Sequence, residues 1–179
     1  MDKYSDESVR AWAYDLGRDW IDDRDQDEDL TIGRLSPELL LPLVDDPECP
    51  RSDYILQCLD YLHRAMIRNG QEPHLERTRE ALEVAKRFHG EKVKDWSELL
   101  ERRLSYRAGV GPVSRNRALA IGWDLLLDPF RTYQEDVSVV EENDTSYVVE
   151  LRYPNPKYWE RLTINKSTGR FSFSRGPGY

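Results

Sequence analysis

The stretch DYILQCLDYLHRAMIR, residues 53–68, sets Ile55, Cys58, Leu59, Leu62 and Met66 at helical spacing. That spacing draws one continuous apolar stripe along an α-helix. Ser52 stands ahead of the stripe as an N-cap, and Asn69-Gly70 follows it as a stop. A rod with such a stripe needs apolar partners, and the chain on either side supplies them in helical form.

Upstream, Val9, Trp12, Ala13, Leu16 and Trp20 predict a helix over Glu7–Ile21, with Ser5 or Asp6 as its cap. Ser36-Pro37-Glu38 opens a short helix crowded with Leu39, Leu40, Leu41 and Leu43, which Pro42 is expected to kink or end. Downstream, Pro73 starts a helix to about Phe88 with Leu75, Leu82, Ala85 and Phe88 inward. Another covers about Lys94–Tyr106, with Trp96, Leu99, Leu100 and Leu104 inward. No pattern recurs at a fixed period, so an irregular bundle is expected rather than a helical array.

Ala108-Gly109-Val110-Gly111-Pro112 is the clearest punctuation. It lacks the Gly-Lys-Ser/Thr ending and preceding strand of a phosphate loop, and reads as a linker. Ser114 then caps a helix through Leu127 that buries Ala118, Ile121 and Leu125, with Trp123 as a further inward candidate. Beyond it the period changes to two. Val137 and Val139, then Tyr147, Val149, Leu151 and Tyr153, alternate with polar residues across a turn at Glu142-Asn143-Asp144. Trp159, Leu162 and Ile164 make a third strand, and Phe171 and Phe173 a fourth, across the turn Asn165–Gly169. The expected fold is α+β: an irregular N-terminal helical bundle, then a helix and a three- to four-stranded antiparallel meander. The expected domains are 1–108, acidic and helical, and 114–179, helix plus meander, joined by the linker 109–113.

The helix with Ala118-Leu119-Ala120-Ile121, the strands Val137–Glu141 and Tyr147–Leu151, and Leu162–Lys166 with Thr168-Gly169-Arg170-Phe171 resemble PepSY-type modules. The same stretch, residues 114–174, is similar to the helix-plus-meander ends of some small immunity proteins of bacterial toxin systems. Either resemblance implies a binding module and carries over no catalytic residue. Residues 1–108 carry no such resemblance.

The chain has 179 residues and a net charge of −8, which disfavours non-specific attachment to nucleic acid or anionic membrane. No run approaches a membrane span, and the opening MDKYSDESVR has no apolar signal-peptide core, so a cytoplasmic setting is expected. Cys49 and Cys58 are the only cysteines, and Cys58 sits on the central stripe as a small buried hydrophobe. His63, His74 and His89 lack the paired spacing of a zinc site. No hydrolase elbow, zincin motif or nucleotide fingerprint is present, so neither an enzyme nor a cofactor is expected.

Charge distribution is more informative. Residues 1–50 carry 15 acids and 5 basic residues. The acids between Asp22 and Asp29 suggest a calcium loop, but counting from Asp23 the sixth position is Glu28 and the twelfth Arg34, where such a loop needs glycine and glutamate. A solvated acidic loop is the plain reading, and a docking surface the sharper one. Trp20, Asp22, Asp23, Asp25, Asp27, Glu28 and Asp29 would steer and anchor a basic protein partner, as in an immunity or inhibitor protein. The alternative is nucleic acid, held by Arg102, Arg103, Arg107, Arg115 and Arg117 with Tyr106 to stack on a base. The plainer reading pairs that cluster with Glu98 and Glu101 as a solvated rim.

Overall fold

The computed structural model describes residues 5–18, 28–127, 136–155 and 157–176, without the side chains of 28–30 and 136. Seven helices and then four strands are found among the described residues: α1 (Asp6–Tyr14), α2 (Glu28–Gly33), α3 (Pro37–Asp45), α4 (Ser52–Asn69), α5 (Glu72–Ala85), α6 (Glu91–Ala108), α7 (Arg115–Leu126), β1 (Asp136–Glu142), β2 (Ser146–Arg152), β3 (Trp159–Asn165) and β4 (Phe171–Arg175). The α+β arrangement is the expected one. Among the described residues no helix is long and apolar enough to cross a membrane. The chain forms two compact units, Met1–His63 with Glu76–Leu100, and Arg64–Leu75 with Glu101–Tyr179.

The first unit is helical, and Trp12, Ile32, Leu40, Leu41, Leu43, Ile55, Leu59 and Leu100 are its fully buried side chains of largest size. Ser5 caps α1 by accepting from the Ser8 amide at 3.3 Å. The helix ends well short of the expected Ile21, because the Asp15 carboxylate takes the Gly17 amide at 3.0 Å and turns the chain. Leu16, expected inward, is therefore 69% exposed. Arg51 stacks 4.6 Å from the Trp12 ring and donates to the Asp15, Leu16 and Arg18 carbonyls, which closes the end of α1.

Helix α2 was not visible in the sequence pattern. Its Gly33 lies so close to α4 that a Cβ would stand 2.7 Å from the Cys58 carbonyl. Helix α3 runs on through Pro42 to Asp45 rather than breaking there. Ser52 is the first residue of α4 and not its cap; its hydroxyl accepts from Lys92 at 2.8 Å, and Lys92 also pairs with Asp53 at 2.6 Å. The whole expected stripe of α4 is buried, Cys58 included, and neither Cys49 nor Cys58 is in a disulfide.

In the second unit the sheet order is β1-β2-β3-β4, antiparallel throughout. The register pairs Val139 with Val149, Val149 with Leu162, and Leu162 with Phe173, so one face is apolar. A bulge between Val139 and Glu141 leaves Val140 37% exposed. Helix α7 packs on β1, β2 and β3 and approaches closely at Gly122. A Cβ at Gly122 would overlap the Val149 side chain and stand 3.3 Å from that of Val137. Gly122→Ala is therefore expected to destabilise this unit by about 1–2 kcal/mol despite alanine's better helix propensity. A urea midpoint equal to or above wild type would show that the interface can yield.

The segment expected as a linker is held in this unit. The Gly111 amide donates to Thr168 O at 3.0 Å and the Val113 amide to Lys166 O at 2.9 Å. Gly109 has φ +99° and no room for a Cβ against the Thr168 carbonyl, which accounts for glycine there.

Candidate anion-binding groove

The C-terminal half of α6 and the exposed flank of α7 form a groove of about 610 Å³ in the second unit. Its centre is Asp124 on α7. Arg102 Nε donates to its Oδ2 at 3.0 Å, Arg103 Nε to its Oδ1 at 2.9 Å, and the Tyr106 hydroxyl to Oδ2 at 3.1 Å. One carboxylate thus orients two guanidinium groups and a phenol. Arg103 and Asp124 are buried, with side chains 3% and 10% exposed, whereas Arg102 is 55% exposed.

Burial pushes the Asp124 carboxyl up, but the hydrogen bonds and charges of Arg102 and Arg103 outweigh it and hold the group below the usual carboxylate range. The bond from Asp124 in turn raises Arg102. Burial, with the Asp124 charge beside it, raises the Tyr106 phenol. All three groups keep the charge state that the network needs near neutrality.

Ala120, Trp123 and Leu127 supply the apolar lining, and Arg64 also lines the groove. Trp123, an inward candidate in the sequence, is 43% exposed. The reason is phase: Ile121, Gly122, Leu125 and Leu126 face the sheet, and Trp123 and Asp124 fall on the other side of α7. Tyr106 is buried at 9% exposure with its hydroxyl engaged, so the flat solvent-facing ring here is Trp123.

Arg102, Arg103 and Tyr106 are therefore brought together as a set. Arg107 has a different place. It donates to the Ile67 carbonyl at 2.8 Å, to Arg68 O and to Phe171 O, and its guanidinium lies 4.4 Å over the Phe171 ring. It closes the C-terminal turn of α4, and burial lowers its pKa. Arg115 and Arg117 are exposed in the first turn of α7 and do not line the groove. Asp124 is a carboxylate against Arg102 and Arg103 that was not among the counter-charges expected from the sequence, Glu98 and Glu101. Asp124 was missed because it lies 21 residues from Arg103; the available signal was that it is the only acid in the α7 sequence RNRALAIGWDLL.

Of the acidic candidates, Trp20, Asp22, Asp23, Asp25 and Asp27 lie outside the described residues. Glu28 and Asp29 open α2, and their side chains are likewise outside. Among the described residues no group of three or more His, Cys, Asp or Glu side chains could hold a metal ion. A second arginine–carboxylate cluster lies on the sheet: Glu150, 3% exposed, accepts from Arg152 and Arg161 at 2.5 Å each, and Arg161 stacks on Trp159.

The two units differ in charge. The first carries 23 acidic and 12 basic residues, net −11; the second carries 11 acidic and 14 basic residues, net +3. Comparison with known proteins finds no matching family model, no matching curated protein and no matching solved structure.

Proposed function

We propose that this protein is a non-enzymatic recognition protein that takes an anionic group of its partner in the α6–α7 groove. The observation that carries the reading is the pairing of Arg102, oriented through Nε yet 55% exposed, with solvent-facing Trp123. Arg102 is held through its Nε by Asp124 and also bonds the Tyr106 hydroxyl, and the donors that remain on its solvent-facing side suit phosphate or carboxylate. Arginine, tryptophan and tyrosine are also the residues that most often dominate binding energy at interfaces. The net +3 of the unit favours such a ligand.

The test is salt elution from an immobilised polyanion such as heparin. Arg102→Gln is expected to elute at clearly lower salt than wild type and to reduce the salt slope by about one counterion. Arg115→Gln, outside the groove, should shift elution less. Retention of Arg102→Gln at the wild-type position would remove the groove from consideration.

The charge division favours a second reading, in which the acidic segment Asp22–Asp29 captures a basic protein, in the manner of an immunity or inhibitor protein. The net −11 of the first unit supports it. Replacing Asp22, Asp23, Asp25 and Asp27 together by asparagine should then slow association with a cationic partner, and a rate insensitive to salt would count against steering.

A further inference from the structure

We infer that the ligand of the α6–α7 groove is single-stranded nucleic acid, with one base on the face of Trp123 and its phosphate on Arg102; this rests on the groove reading above. Three features of the site point the same way. The apolar wall is a flat indole, 43% exposed, and not an aliphatic pocket. A nucleobase gains from such a face whatever its identity, because every base has a π-surface. The cation beside it is an arginine fixed by its Nε at 3.0 Å from Asp124 and by a further bond to the Tyr106 hydroxyl, so the donors left to it are pre-aimed rather than free to wander. Finally, the groove holds about 610 Å³, the scale of a site for one small-molecule-sized body.

A duplex presents phosphates to such a site but keeps its bases stacked inside, away from the indole. An acidic peptide would use Arg102 and leave the indole without a flat partner. Asp124 contributes by position: it consumes one donor from each arginine and lowers the local charge, so a single phosphate is matched rather than a run of them. The net charge of −8 on the whole chain opposes long polyanions and favours a short exposed strand.

The experiment is fluorescence anisotropy of labelled hexathymidylate with the full chain at low salt, beside the same strand in duplex form and with oligo-glutamate as competitor. The expected result is binding of the single strand at least tenfold tighter than the duplex and little displacement by oligo-glutamate. Trp123→Leu should weaken binding roughly tenfold or more, with Trp123→Phe restoring most of it. Both side chains are exposed enough for the variants to fold, and far-ultraviolet circular dichroism checks that they do. If duplex binds equally and Trp123→Leu has no effect while Arg102→Gln does, the groove captures phosphate alone and the base-stacking inference is wrong. Displacement by oligo-glutamate at matched charge would assign the groove to an acidic protein segment instead. No binding by wild type, or a neutral Arg102→Gln, would bring down the groove reading together with this one.

Discussion

Asp124→Ala is expected to lower the unfolding free energy of the second unit by about 3 kcal/mol, the usual scale for removing one partner of a buried ion pair. The carboxylate is 10% exposed and accepts from three side chains, two of them buried. Its loss removes the carboxylate that pairs at 2.9 Å with the Arg103 guanidinium, 3% exposed. The Tyr106 hydroxyl loses its acceptor at the same stroke. Asp124→Asn should fall between wild type and alanine, since the amide oxygen still accepts but carries no charge. Urea unfolding followed by tryptophan fluorescence reads the effect as a drop in midpoint at constant slope. An unchanged midpoint for alanine would mean that the arginines find other acceptors and that Asp124 is no hub.

The same residue has a pH signature whose sign is set by its lowered pKa. The unfolded carboxylate titrates at about 3.9. The pairing therefore contributes fully above that pH and is lost as pH falls through the lower folded value. Wild type should lose stability across that acid range, and Asp124→Ala should lose less there because its contribution is already gone.

The contrast between Leu104 and Arg103 shows where pattern reading works and where it stops. The stripe of α4 was legible because apolar residues at helical spacing have one physical outcome, burial on one side. The same logic applied to α6 selected Trp96 and Leu100, which are buried, but also Leu99 and Leu104, which are only half-buried, and it passed over Val93, Arg103 and Tyr106, which point inward. Arg103 was scored as polar, yet it completes the i, i+3, i+4 series begun by Trp96 and Leu100. What makes burial of its charge tolerable is Asp124, a residue on another helix, and no local window contains both. Trp123 failed in the opposite sense. Its hydrophobicity suggested burial, but Gly122 must face the sheet for α7 to approach Val149, and that phase turns Trp123 outward. The meander was legible throughout because strand alternation and the Asn143 and Asn165 turns are local. Both asparagines fold as expected, with Oδ1 of each accepting from the backbone amides two and three residues on. The early end of α1 depended on an Asp15 side chain competing with the helix, which hydrophobic spacing does not register.

The first unit should be acid-sensitive through one group, His63. The ring is 1% exposed, with Nδ1 3.1 Å from the Thr78 hydroxyl and its centre 5.7 Å from that of the Trp96 ring in an edge-to-face contact. Burial, helped by the charge of Arg77 and opposed by Asp60, lowers its pKa from 6.5 to about 4. The folded protein therefore holds His63 neutral at a pH where the unfolded chain already binds a proton. Stability is full above about pH 6.5, falls as pH drops through the window between 6.5 and 4, and levels off below it. The total loss from this group is about 3 kcal/mol, a large share of the stability of a small domain. His63→Gln can keep a hydrogen bond to Thr78 but does not titrate, so its stability should be lower at neutral pH and nearly flat across the same window. Imidazole resonances followed by NMR give the direct readout. A His63 signal that titrates near 6.5 in the folded protein, or a wild-type stability that stays level between pH 6.5 and 4, would show that water reaches the ring and that the Thr78–Trp96 enclosure is not closed.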